Sequence, residues 1–152
     1  MKPIVASRTI NAPLELVFDT ISDIRNYRAA VPNITKVEFL SDQQRGAGTR
    51  FRETRNMNGR EQTVELEVAD YVENRRVRMI SDAGGSTWDT LFSLSPAGGG
   101  VELRMQMDVR PHGLLARMMN VLIRGMVVKG VESDMDAVKT FCEAGNTHQG
   151  EP

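Results

Sequence analysis

Residues 48–68 read GTRFRETRNMNGREQTVELEV. Two runs of mixed polarity flank Asn58-Gly59, a dipeptide that tolerates positive φ at both central positions of a type I′ turn. With those two residues in the turn, Met57 faces Arg60. Counting outward pairs Arg55 with Gln62, Glu53 with Val64, and Phe51 with Leu66. On the other face Arg52 meets Glu65 and Arg50 meets Glu67, favourable ion pairs for a wet surface. This register sends Phe51, Val64 and Leu66 inward and takes Glu53, Arg55 and Gln62 with them. A slip of one residue turns Phe51 outward and brings Arg50 and Arg52 in. In either register the inner face receives charge, so the region must be hydrated, paired or ligand-facing, because an unpaired buried ion is costly.

The period of two extends over residues 35–110, punctuated by turn signals at 46–48, 58–59, 73–74, 84–85 and 96–100. It predicts a meander of about six strands. Before it, residues 4–10 read as a first strand. Pro13 suits a first helical position, Glu15 complements the helix dipole, and Leu14, Val17, Phe18 and Ile21 recur at helical spacing. Ser22 or Asp23 can cap a second short helix that Pro32 ends. After the meander one long helix is expected over 114–143, with Leu115, Met119, Leu122, Met126 and Met135 among its apolar positions. Residues 144–152 are polar and predict a disordered tail, leaving a single domain over 1–143. An α+β fold satisfies this order: a curved antiparallel sheet of about seven strands wrapped around a long C-terminal helix, with two short helices after the first strand.

At 152 residues the chain can bury a substantial core. A formal net charge of −1 gives no reason to expect a nucleic-acid partner. The N-terminus has no long apolar run, so neither a signal peptide nor a membrane span is expected. The single cysteine, Cys142, excludes an internal disulfide and fits a cytoplasmic location. Nine methionines against five Phe, two Tyr and one Trp indicate a pliable interior.

The order of elements, together with INAPLELVFDTISDIRNY, GTRFRETRNMNGRE and DVRPHGLLARMM, resembles the START-like, polyketide cyclase/dehydrase-like (SRPBCC) superfamily. The resemblance spans nearly all of residues 3–143. It implies a helix-grip fold with a cavity between sheet and long helix, and a hairpin tip that borders the cavity mouth. It leaves function open, because the superfamily holds cyclases, lipid carriers, quinone binders and hormone receptors.

Glu53 and Arg55 are accordingly either a structural pair or the polar anchor of an apolar pocket. Inward-facing strand residues Phe51, Gln62, Val64, Met79, Trp88, Thr90, Met105 and Met107 are candidate lining. From the helix, Leu115, Met119, Leu122 and Met126 are expected to face them. Ordinary core packing explains any one of these residues; the clustered methionines suit an apolar guest. His112 and His148 are the only histidines and Cys142 the only cysteine, so no metal site or cofactor is expected. His112 reads as a loop or cap residue, and Cys142 as inert packing. Arg117, Arg124 and Lys129 read as a solvated helix face, with membrane contact at most transient.

Three functions remain. The first is a cytoplasmic binding protein, monomer or homodimer, for a small polyketide-, quinone- or lipid-like molecule. The second is a cyclase or dehydratase acting on an apolar or aromatic substrate, with Glu53 as acid/base and Arg55 polarising a carbonyl. The third is an interaction module with an ordinary core.

Overall fold

The computed structural model describes residues 2–149. Strand β1 (Ile4–Ile10) leads into helices α1 (Leu14–Ser22) and α2 (Ile24–Ala30). Strands β2 (Ile34–Phe39), β3 (Arg50–Met57), β4 (Arg60–Val72), β5 (Arg76–Ala83), β6 (Ser86–Ala97) and β7 (Gly100–Pro111) follow. Helix α3 (Leu114–Gln149) ends the described chain. The expected meander of six strands is present, and each turn falls on its predicted signal. All neighbours are antiparallel, in the order β1-β7-β6-β5-β4-β3-β2. The long-range step is β1 against β7, with Ile4 opposite Met107 and Ile10 opposite Val101.

Local chemistry sets the boundaries with small shifts from expectation. Pro13 is extended (φ −61°, ψ 145°) and caps α1 from outside, its carbonyl accepting from Leu16 and Val17 at 3.1 and 3.2 Å. It stands one residue before the first helical position expected for it. Asp23 caps α2: Oδ1 accepts from the Arg25 amide at 3.0 Å, and the Arg25 side chain folds back on the same carboxylate. The long helix runs six residues past its expected end at Glu143. Asn146 donates to the Asn11 carbonyl at 3.1 Å, and Asn11 donates its amide to Glu143 at 2.8 Å, so the β1–α1 corner holds this last stretch. Residues 150–152 of the expected tail lie outside the described residues.

The sheet's curvature comes partly from two register shifts, in β2 between Ile34 and Lys36 and in β4 between Val68 and Asp70. The second restarts the alternation, so that both Val68 and Tyr71 turn inward; Tyr71 meets the Phe18 ring edge-on at 5.3 Å. Gly100 permits a close backbone approach: a Cβ there would lie 2.5 Å from the Ile10 carbonyl oxygen. Within the concave face Phe18, Ile21, Phe51, Val77, Leu103, Met135 and Val138 are all fully buried. Burying each such side chain contributes on the order of 1.5–3 kcal/mol.

Helix α3 packs chiefly along β1, reaching β7, α1 and α2. Arg8 on β1 pairs with Glu132 and, at 2.7 Å, with Asp136. Arg124 donates to the Lys2 carbonyl at 2.8 Å. These contacts fix the helix rotation. Asn120, Val131, Asp134, Met135, Val138 and Cys142 form its buried side, with Cys142 against Thr20 of α1.

Candidate functional site

The β3–β4 hairpin turns as its sequence requires. Asn58 and Gly59 both have positive φ (54° and 81°), and the Gly59 amide donates to Asn56 Oδ1 at 3.0 Å. The register is the one derived above, from Arg50 opposite Glu67 to Met57 opposite Arg60. Arg52 pairs with Glu65 at 3.0 Å on the outer face, while Glu53 and Arg55 project from the concave face.

There the charges are paired, and with more than each other. Arg55 donates through Nε to Glu53 Oε1 at 2.6 Å. Its Nη1 reaches across to helix α3, 2.8 Å from Asp134 Oδ2 and 3.1 Å from Oδ1. The Tyr27 hydroxyl, from α2, donates to the same Oδ2 at 3.1 Å, and its ring meets Phe92 edge-on at 6.0 Å. Glu53 and Asp134 are each 6 % exposed, whereas a quarter of the Arg55 side chain is open. Burial works against the Arg55 charge, but Glu53 and Asp134 outweigh it and raise its pKa above the ordinary value. The Tyr27 phenol is pushed well above its ordinary value, first by burial and then by the Asp134 charge. One guanidinium between two carboxylates leaves the cluster with a net charge of −1. Arg55 Nη2 has no hydrogen-bond partner among the described residues.

Around this cluster Phe51 and Met79 are buried and Val64, Trp88, Thr90 and Met107 are half-buried on the same face. Met105 is buried deep in the core. Gln62, although opposite Arg55, is exposed near the hairpin tip and stands outside the site. A separate polar group lies where α3 meets the start of β6. Asn120 Nδ2 donates to Ser86 Oγ at 2.8 Å, both buried, and the buried Ser81 Oγ, on the strand position opposite Trp88, has no hydrogen-bond partner. Ile4, Trp88, Val109, Asn120, Ile123, Arg124 and Val127 line a half-open pocket of about 10 Å³, room for about one water molecule.

The helix contribution differs from expectation. Leu115, Leu122, Met119 and Met126 are 76, 76, 47 and 44 % exposed and do not bury against Met105 and Met107. The first half of α3 is apolar on two faces. The stripe that continues into the second half, through Val131, Met135, Val138 and Cys142, sets the rotation and turns the other stripe outward.

Tyr27, Asp134, Asn120, Ser81 and Ser86 were not among the expected site residues. Asp134 carried a signal, since a carboxylate in phase with Val131, Met135 and Val138 sits on a buried helix face. His112 lies on the exposed rim, its Nε2 2.8 Å from Thr87 Oγ1. Cys142 is buried with its thiol directed at Thr20 Oγ1, and burial raises its pKa.

Residues 1–143 match the family model described as "Polyketide cyclase / dehydrase and lipid transport". No curated protein matches the sequence. Among solved structures, the Zhui aromatase/cyclase from Streptomyces is 18% identical, with 99% of each chain covered and a TM-score of 0.79. A Thermus thermophilus protein is 19% identical, with 94% of this chain and 98% of that chain covered and a TM-score of 0.77. A START superfamily protein from Mycobacterium smegmatis is 14% identical, with 95% and 99% covered and a TM-score of 0.71. At these identities the likeness is one of fold.

Proposed function

Because the chain belongs to the polyketide cyclase/dehydrase and lipid transport family, within the START-like superfamily, we propose that it binds a small, neutral, largely apolar molecule between the sheet and α3. The observation that carries the reading is Arg55, a partly open guanidinium on the concave face whose Nε and Nη1 are held by Glu53 and Asp134. Since the cluster already has a net charge of −1, it favours a hydrogen-bonding neutral group, a carbonyl or hydroxyl, over an anion. Polyketide-, quinone- and lipid-like molecules have that chemistry. Ser81, Ser86 and Asn120 offer a second polar end, with Met79, Trp88, Thr90 and Met107 between. The space beside Trp88 holds about one water, so a guest enters by displacing Trp88 and the flexible Met107 side chain.

A second reading, a cyclase or dehydratase, draws on the Glu53 carboxylate lying 2.6 Å from the cation that would polarise a substrate carbonyl. Glu53 would then take the proton from the carbon beside that carbonyl while Arg55 stabilises the developing oxyanion.

Trp88 is the only tryptophan and lines the site, so its fluorescence reports occupancy directly. Titration with Nile red, a neutral apolar dye bearing a carbonyl, should quench Trp88 saturably as the dye's own emission rises. Met107→Arg should abolish the response in a protein that stays folded. Equal dye affinity in folded Met107→Arg would place the dye elsewhere and remove the support for this site.

A further inference from the structure

The apolar face that α3 turns outward is a surface of its own. Leu114, Leu115, Met118, Val121 and Leu122 are 64–79 % exposed, and Met119 and Met126 flank them. Scattered exposed leucines need no explanation, but a contiguous patch does. This one extends over about 18 Å of helix. The charge around it is one-sided. Residues 109–131 contain four Lys or Arg and no Asp or Glu, in a chain whose net charge is −1. Arg117 and Lys129 are exposed, with no side-chain partner among the described residues. Arg124 and the exposed Lys2 meet at the start of β1, next to the helix. The second half of α3, from Glu132 onward, carries the acids that bind it to β1 and β3.

We propose that the first half of α3 docks this protein on an anionic lipid surface, with its apolar ridge in the interface and Lys2, Arg117 and Lys129 on the headgroups. A ridge of protruding leucines and methionines fits a fluid interface without a preformed groove, and basic residues beside it add attraction to anionic lipid. A second copy of the chain fits poorly, because a two-fold contact through this face would set Arg117 and Lys129 against a surface equally free of acids. Among the described residues no helix is long and apolar enough to cross a membrane, so α3 lies on the surface. The inference goes beyond ligand binding and stands whether or not the cavity holds a guest.

The full chain is sedimented with vesicles of phosphatidylcholine alone and of phosphatidylcholine mixed with phosphatidylglycerol. It should pellet with the mixed vesicles only, and added salt should release it. Arg117→Gln with Lys129→Gln should weaken binding about 30-fold, from about fivefold per cation near an anionic surface. Leu115→Ser with Leu122→Ser should weaken it at least about tenfold, since both side chains leave the interface. Both variants change exposed residues and should melt as the parent does. Equal recovery on neutral and anionic vesicles would overturn the electrostatic argument. No recovery on either, with a solution dimer that Leu115→Ser/Leu122→Ser dissociates, would assign the face to a second copy. No recovery and no dimer would leave a surface for a protein partner and equally refute the proposal.

Discussion

Replacing Arg55 with Met tests how the concave face tolerates its charges. The substitution keeps a long flexible side chain and removes two charge-assisted hydrogen bonds, at 2.6 Å to Glu53 and 2.8 Å to Asp134. What remains is two carboxylates, each 6 % exposed, without their shared cation. Removing one partner of a buried ion pair costs about 3–5 kcal/mol. Arg55 is partly open to water, which places this case near the lower end, about 3 kcal/mol. In a chain of this length that lowers the melting temperature by about 6–12 °C. Arg55→Met/Glu53→Leu/Asp134→Asn removes both stranded charges while keeping an acceptor for Tyr27, and should recover most of the loss. Urea unfolding followed by far-ultraviolet circular dichroism and by Trp88 fluorescence gives both values. An Arg55→Met protein unfolding at the parent midpoint would show that the ion network does not hold the sheet to α3, and the reasoning would fail.

Three further substitutions probe particular contacts. Tyr27→Phe removes one donor from Asp134 and should cost about 1–2 kcal/mol in the same unfolding assay. Because the folded phenol titrates above its unfolded value, its contribution is intact below about pH 10 and is lost as pH rises through the folded pKa; ultraviolet titration should show a tyrosine that ionises late or only on unfolding, and Tyr27→Phe should remove that late step. Met135→Ala should cost about 2–5 kcal/mol, whereas Leu122→Ala should stay within about 0.5 kcal/mol; the reverse order would mean that α3 is rotated in solution. Gly100→Ala drives a Cβ into the Ile10 carbonyl at the β1–β7 step and should destabilise by about 1–3 kcal/mol, measured by thermal melting.

What could be read from sequence follows the range of the forces involved. The β3–β4 register was legible because turn geometry, alternation and cross-strand charge are all local, and Phe51 on one face with Arg52 on the other admits one solution. The β4 shift at Val68 and Asp70 left no such mark, and it reverses which residues of the strand turn inward. The long-range partner of Arg55, Asp134, lies 79 positions away and is itself held by Tyr27, and only the docking of α2 and α3 brings the three together. The rotation of α3 is not legible in the sequence for a related reason. Its first half offers two apolar faces, and the choice between them is made by Val131, Met135 and Val138 further along and by Arg8 on β1. Local periodicity does not contain that choice. The face not chosen is the exposed ridge at Leu115 and Leu122.

The central claim is that the space between the sheet and α3 holds a small apolar molecule anchored by Arg55. Native mass spectrometry of freshly purified protein tests it most directly. The account predicts a mass above that of the bare chain, released on denaturation as a neutral apolar compound bearing a carbonyl or hydroxyl, and absent from folded Arg55→Met/Glu53→Leu/Asp134→Asn. A compound retained equally by that folded variant, or a bare chain that also leaves Trp88 unresponsive to Nile red, would contradict it.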